Sequence, residues 1–196
     1  MEFKDKLREL LNHIISLFVV HDDELKVEVV DLVSGFEVRI DCHPEDAGKI
    51  IGSKGSRFNA IKLFVETACN RNGSVGLVRR IKPGYRGPNY PEFAVSKIWP
   101  RDAFCQLASH LTMLCVKSPE LVDSISTDEP DGSSLITICI SVGESLETIK
   151  ALSASLNVLF EASGYLVGRI IRVSISSELE PQPQTSKGRH ANEVKP

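Results

Sequence analysis

Two glycines three residues apart interrupt an otherwise helical pattern at Gly52-Ser53-Lys54-Gly55, and this constrains the chain more than any other feature. Upstream, Pro44-Glu45-Asp46 opens a short helix: proline suits the first helical position, and acids suit the positive end of the helix dipole. That helix runs through Ala47, Gly48, Lys49, Ile50 and Ile51. A second helix runs from Ser56 to about Asn70, with Phe58, Ile61, Leu63, Phe64, Val65 and Ala68 supplying its apolar face, and Asn72-Gly73 ends it. Gly52 and Gly55 can adopt backbone conformations closed to residues with a Cβ. The second helix starts directly after the loop, so its unbonded N–H groups face the loop and favour an anion. Lys54 stands at the tip, with Lys49 and Arg57 near by. A phosphodiester strand fits such a site; the plain alternative is a simple helix-helix turn.

The surrounding elements follow from periodicity. Residues 2–20 place Phe3, Leu7, Leu10, Leu11, Ile14, Leu17 and Phe18 at helical spacing. Residues 24–33 and 36–42 alternate as two strands around a Ser34-Gly35 turn, and 74–81 form a third strand, stopped by Lys82-Pro83-Gly84. The first half thus reads helix, strand, strand, two helices around a loop, strand.

Ile51-Gly52-Ser53-Lys54-Gly55 between two helices, in that element order, resembles the KH RNA-binding domain and its G-x-x-G loop, in the prokaryotic (type II) arrangement. It is similar in particular to small bacterial single-KH RNA-binding proteins of the KhpA type, through Pro44-Glu-Asp-Ala-Gly-Lys-Ile-Ile-Gly52 and Ala60-Ile-Lys62. Ser56-Arg57-Phe58 departs from the basic-apolar-small run usual after the loop. The resemblance spans residues 1–83 and implies sequence-tolerant binding of a short single strand of about four nucleotides. Gly52, Ser53, Lys54 and Gly55 would hold the sugar-phosphate backbone, with Lys49 and Arg57 beside them. Gly48, Ile50 and Ile51, with Ala47, would line the groove for the bases. Arg79 and Arg80, at the end of the third strand, are further candidate RNA contacts, weighed evenly against a solvated strand end.

Charge supports a polyanion-binding face independently. Residues 42–100 hold 10 basic and 4 acidic residues, a local +6 in a chain of net charge −3. The 196 residues are 42% hydrophobic and 25% charged, ordinary for a globular protein, and no apolar run is long enough to span a membrane. The N-terminus lacks the basic start and small-residue cleavage site of a secretory signal. Five cysteines, odd in number and never spaced C-x-x-C, suggest neither a disulfide framework nor a zinc site. The five histidines (13, 21, 43, 110, 190) show no paired metal spacing. The expectation is therefore a cytoplasmic, non-enzymatic protein with no catalytic residue, cofactor or metal.

Residues 84–100, with Tyr85, Tyr90 and Trp99, read as a linker whose aromatics plug a seam between domains more readily than they stack on bases. Residues 101–177 then repeat the element order: a helix over 101–117, strands over 121–126 and 135–142, a helix over 144–163 ended by Gly164, and a strand over 166–175. No G-x-x-G appears there; Thr148 to Ser155 reads as uninterrupted helix, and residues 101–180 carry a net charge of −6. The expected fold class is α/β, built of two α+β two-layer sandwiches: a type II KH domain over residues 1–83 and a degenerate KH-like or ferredoxin-like domain over 101–177. A polar tail, 178–196, follows and is expected to be disordered. Single-stranded RNA is the expected partner, with a homodimer or a second KH protein as a further one. The rival reading is a KH-fold interaction or ribosome-assembly scaffold with incidental RNA contact.

Overall fold

Leu7, Leu11, Ile14 and Ile15 recur at helical spacing and are all buried, forming the inner stripe of helix α1, Phe3–Ser16. The computed structural model describes residues 2–79, 82–83, 101–140, 143–166 and 169–176, with only the backbone at 82–83, 101 and 165–166. Arg80, the linker aromatics Tyr85, Tyr90 and Trp99, and the tail from 178 onward lie outside the described residues. Helix α1 stops at Ser16 rather than at residue 20. Leu17, Phe18 and Val19 are all buried, and no single helical stripe accommodates three consecutive inward residues. Beyond them, the N–H groups of Val20 and His21 donate to the Asp46 carboxylate at 3.0 and 2.8 Å instead of to helix carbonyls.

Strands β1 (Lys26–Leu32) and β2 (Gly35–Cys42) form an antiparallel hairpin with Leu32 opposite Gly35. Strand β3 (Val75–Val78) adds parallel to β2. The third strand expected over 74–81 is shorter than its apolar pattern suggests. The Arg79 N–H still donates to the Val38 carbonyl at 2.9 Å, and pairing with β2 resumes at the two-residue β4, Lys82–Pro83. Helices α2 (Pro44–Ile51) and α3 (Ser56–Arg71) lie between β2 and β3 in the chain. Val27, Val29, Val38 and Ile40 form the buried face of the sheet; Phe64, Val65, Ala68 and Cys69 pack from α3.

The second half consists of α4 (Arg101–Met113), β5 (Asp123–Asp128), β6 (Ser134–Cys139), α5 (Leu146–Leu166) and β7 (Ile171–Ser176). Its strands pair as those of the first half do: β5 and β6 antiparallel, β6 and β7 parallel. Helix α3 packs on α5 and α1 on α4, so each helix meets its positional counterpart. The buried apolar residues form one cluster running through both halves. Arg71 at the end of α3 ties them further, its guanidinium donating to the carbonyls of Val116 and Lys117 at 2.8 and 3.0 Å.

Gly164 does not end α5, which continues to Leu166. A Cβ on Gly164 would lie 2.5 Å from the Arg169 carbonyl oxygen and 3.0 Å from Ile171. The glycine is there because the chain entering β7 passes hard against the helix, so its signal is close approach rather than termination. Strand β5 starts at Asp123, two residues later than expected, because Pro119–Leu121 forms a 3-10 turn. Cys42, Cys69 and Cys115 are buried free thiols. Burial, with Asp46 and Asp41 adding to it, pushes the Cys42 thiol up to about 11; burial alone pushes Cys69 to about 11. Both behave as small core hydrophobes. Among the described residues, no helix is long and apolar enough to cross a membrane.

Candidate nucleic-acid interface

Three residues with positive φ sit in the loop between α2 and α3: Gly52 at 73°, Lys54 at 52° and Gly55 at 79°. Among the described residues, Lys54 is the only non-glycine with positive φ. The turn is closed by backbone bonds, Gly52 N–H to the Gly48 carbonyl at 2.9 Å and Gly55 N–H to the Gly52 carbonyl at 3.1 Å. A Cβ at Gly52 would meet the Arg57 side chain at 2.8 Å, so this position needs glycine both for its φ and for the room it leaves. Gly55 precedes α3 in a left-handed conformation, and no side chain caps the first turn of that helix. Its leading N–H groups and dipole therefore favour an anion placed at the loop. Ser53 and Lys54 are exposed at the tip, and Lys54 pairs with no acid among the described residues.

The remaining predicted site residues divide. Gly48 and Ile51 are exposed on α2 beside the loop, Ile51 at 43%. A Cβ at Gly48 would meet nothing within 4 Å, so its absence leaves an open strip along the helix. Ile50 is 0% exposed: it belongs to the core and offers a base no surface. Lys49 is half-engaged, its Nζ 2.8 Å from Asp46. Arg57 holds the two helices together, donating from Nη1 to the Lys49 carbonyl at 2.8 Å with its guanidinium 5.8 Å above the Phe18 ring. Four of its five donors remain available in principle, but its position is set by packing. Arg79 is not brought to the loop. Gly76 packs against Val65 and Cys69 of α3, so alternation puts residues 75, 77 and 79 on the opposite face of the sheet. There Arg79 pairs with the buried Glu37 carboxylate at 2.5 Å, alongside Arg39. Arg80 lies outside the described residues.

Asp46 anchors this unit, which the sequence does not reveal beyond a helix-dipole role. Its fully buried carboxylate accepts from the N–H groups of Val20 and His21, from His21 Nδ1 at 3.1 Å and from Lys49 Nζ. Burial pushes its carboxyl up, and the hydrogen bonds from Lys49, His21 and Val20 outweigh that and hold it below the usual aspartate value. His43 begins α2 as its N-cap, Nδ1 accepting from the Glu45 N–H at 3.3 Å. The histidines show no paired spacing along the chain, yet the rings of His21 and His43 lie 3.8 Å apart, centroid to centroid. The β1–β2 hairpin brings residue 43 back beside residue 21, a proximity that spacing along the chain cannot show.

A family model described as the KhpA/KhpB KH domain matches residues 8–81. The chain is 32% identical over 72 residues to RNA-binding protein KhpA of Streptomyces coelicolor, covering 37% of this chain and 91% of that protein. It is 29% identical over 65 residues to RNA-binding protein KhpA of Halalkalibacterium halodurans, 33% and 86% of the two chains. With RNA-binding protein KhpA of Bacillus subtilis it shares 32% identity over 62 residues, 32% and 76% of the two chains. Near-complete coverage of such relatives, joined to the strand pairing and paired helices described above, shows that the chain belongs to the KhpA/KhpB KH-domain family, with its KH domain in the first half.

Proposed function

We propose that this protein binds single-stranded RNA, without catalysing a reaction, through the Gly52–Gly55 loop and the exposed strip of α2 beside it. The observation that carries this reading is the loop itself: left-handed backbone at residues 52, 54 and 55, directly before an uncapped helix start, with Lys54 exposed at the tip. The backbone of about four nucleotides would run over the loop, and bases would lie on Ala47, Gly48 and Ile51. The relatives named RNA-binding proteins support the ligand class. A role in RNA metabolism or post-transcriptional regulation follows from sequence-tolerant binding of this kind.

We also propose that residues 101–177 are a KH-like unit without a loop, serving structure. It repeats the strand pairing of the first half and covers the outer faces of α1 and α3. Ser53 and Lys54 stay exposed with that unit in place, which favours RNA binding over a scaffold role.

The test is fluorescence anisotropy with short single-stranded RNAs across a salt series, comparing the wild type with Ser53→Asp/Lys54→Asp. Both acids repel phosphate and leave the glycines alone, and circular dichroism checks the fold. Binding should fall by at least about tenfold, equal to about 1.4 kcal/mol. If 3–4 phosphates are neutralised, log affinity should fall with log salt at a slope of roughly −2 to −3. Equal binding by both proteins, or none by either, would move the assignment to the interaction scaffold.

A further inference from the structure

We propose that Arg57 is a positioning residue for the Gly52–Gly55 loop and not itself an RNA contact. From the first turn of α3 it clasps the last turn of α2 and holds the loop in the shape that receives phosphate. The proposal rests on the reading of this loop as the RNA site.

The loop needs a clasp. Lys54 is held at φ 52°, a left-handed conformation that disfavours a residue with a Cβ by roughly tenfold in population. A strained residue keeps such a conformation only where its surroundings fix it. Two backbone bonds close the turn from within, Gly52 N–H to the Gly48 carbonyl and Gly55 N–H to the Gly52 carbonyl. They fix the turn on the α2 side. No side chain caps the first turn of α3, so the α3 side has to be tied by other means.

Arg57 makes that tie at three points. Its Nη1 donates at 2.8 Å to the Lys49 carbonyl, one of the last four in α2, which the helix leaves without a partner of its own. Its stem runs against Gly52: a Cβ there would lie 2.8 Å from Cγ of Arg57 and 3.1 Å from its Cβ. Its guanidinium lies 5.8 Å from the centroid of the Phe18 ring, within range of a cation–π contact. Phe18 is 1% exposed, so the arginine is anchored on the core. A planar, weakly hydrated guanidinium stacks on a ring and bonds to a carbonyl at once, and lysine lacks that group. Lys54, exposed at the tip, is the cation left for phosphate.

The test compares the full-length wild type with two variants. Arg57→Met keeps a stem against Gly52 but has neither charge nor donor. Arg57→Lys keeps the charge but not the planar group. Circular dichroism checks the fold, and amide hydrogen exchange followed by NMR reads the loop without RNA. In both variants we expect exchange at Gly52 and Gly55 to quicken by about threefold or more, with amides in the middle of α3, such as Phe64, unchanged. A merely structural role would speed both sets together. Affinity for short single-stranded RNA should fall about three- to tenfold, by the fraction of molecules that lose the receptive loop. The slope of log affinity against log salt should stay at the wild-type value. Loss of one phosphate contact on a single strand would flatten it by about 0.7.

A flattened slope in Arg57→Met, or wild-type affinity in Arg57→Lys, would make Arg57 a phosphate contact and overturn the proposal. Unchanged exchange at Gly52 and Gly55 would overturn it too. Arg57→Lys carries the test alone if Arg57→Met does not fold. If the wild type binds no RNA, the RNA reading fails, and exchange at the two glycines alone decides whether Arg57 holds the loop.

Discussion

Two stretches hold the same place in the two halves of the molecule. Pro44–Ile51 and Ser56–Arg71 in the first, and Leu146–Leu166 in the second, each follow the central strand of their sheet and return the chain to a parallel neighbour. The strand pairing is the same in both, yet only the first stretch is broken. The break leaves backbone N–H groups facing solvent beside a lysine. In α5 the polar groups are consumed internally: Ser155 and Ser163 donate to the carbonyls one turn back, at 2.6 and 2.8 Å, and Asn157 pairs with both backbone groups of Val173 on β7. Topology thus supplies a scaffold twice, and the interruption supplies a binding surface once.

That contrast can be stressed most severely at Asp46, which has four donors and no counterpart in α5. Asp46→Ala should destabilise the protein by about 1–3 kcal/mol for each of the two backbone N–H groups, of Val20 and His21, that it leaves without an acceptor. Denaturant midpoints measure it. The pH dependence has a definite sign. The folded carboxyl sits below its ordinary value. Its contribution is therefore complete above the unfolded aspartate pKa of about 3.9 and is lost as pH falls through the lower folded value. The stability gap between wild type and Asp46→Asn should shrink across that acid range. A gap that stays constant down to the acid transition would mean that the carboxylate's charge is not what holds α2 in place.

A smaller effect is expected in the second half, at Gly164. Gly164→Ala puts a methyl group 2.5 Å from the Arg169 carbonyl, so backbone must move. Overpacking of this kind costs about 1–3 kcal/mol. Helix propensity alone would make the same change favourable by about 1 kcal/mol. The sign of the measured change decides whether the helix end or the close approach of β7 governs this position. A stabilised variant would mean that the chain entering β7 gives way and that helix propensity governs this position.

The glycine loop is legible in the sequence because its causes are local: φ preference, helix starts and stops, and apolar spacing all act within a few residues. The element order is legible for the same reason. What stays hidden depends on partners far along the chain. Lys49, Arg57 and Arg79 look alike as positive charges near a loop, but their partners are Asp46, the Lys49 carbonyl and Glu37, the last on the far face of the sheet. Charge counts give the sign of a region and not which cations are already engaged. Ile50 and Ile51 are neighbours of one chemical type, and only the angle around α2 sends one to the core and the other to solvent. The His21–His43 pair is created by a hairpin, so no spacing rule reaches it.

The finest test of the contrast is Gly48→Ala. Within α5 a glycine is retained because there is no room, whereas at Gly48 nothing lies within 4 Å of the missing methyl group. Alanine there should stabilise α2 by up to about 1 kcal/mol, because glycine in a helix interior is disfavoured by that amount. If the open strip beside the loop receives a base, the same methyl group should weaken RNA binding severalfold while the protein grows more stable. Opposite movement of the two quantities separates a glycine kept for a ligand from one kept for the fold. Thermal unfolding and anisotropy on a single preparation give both. Greater stability with unchanged RNA affinity would remove the α2 strip from the binding surface and leave the loop to hold the backbone alone.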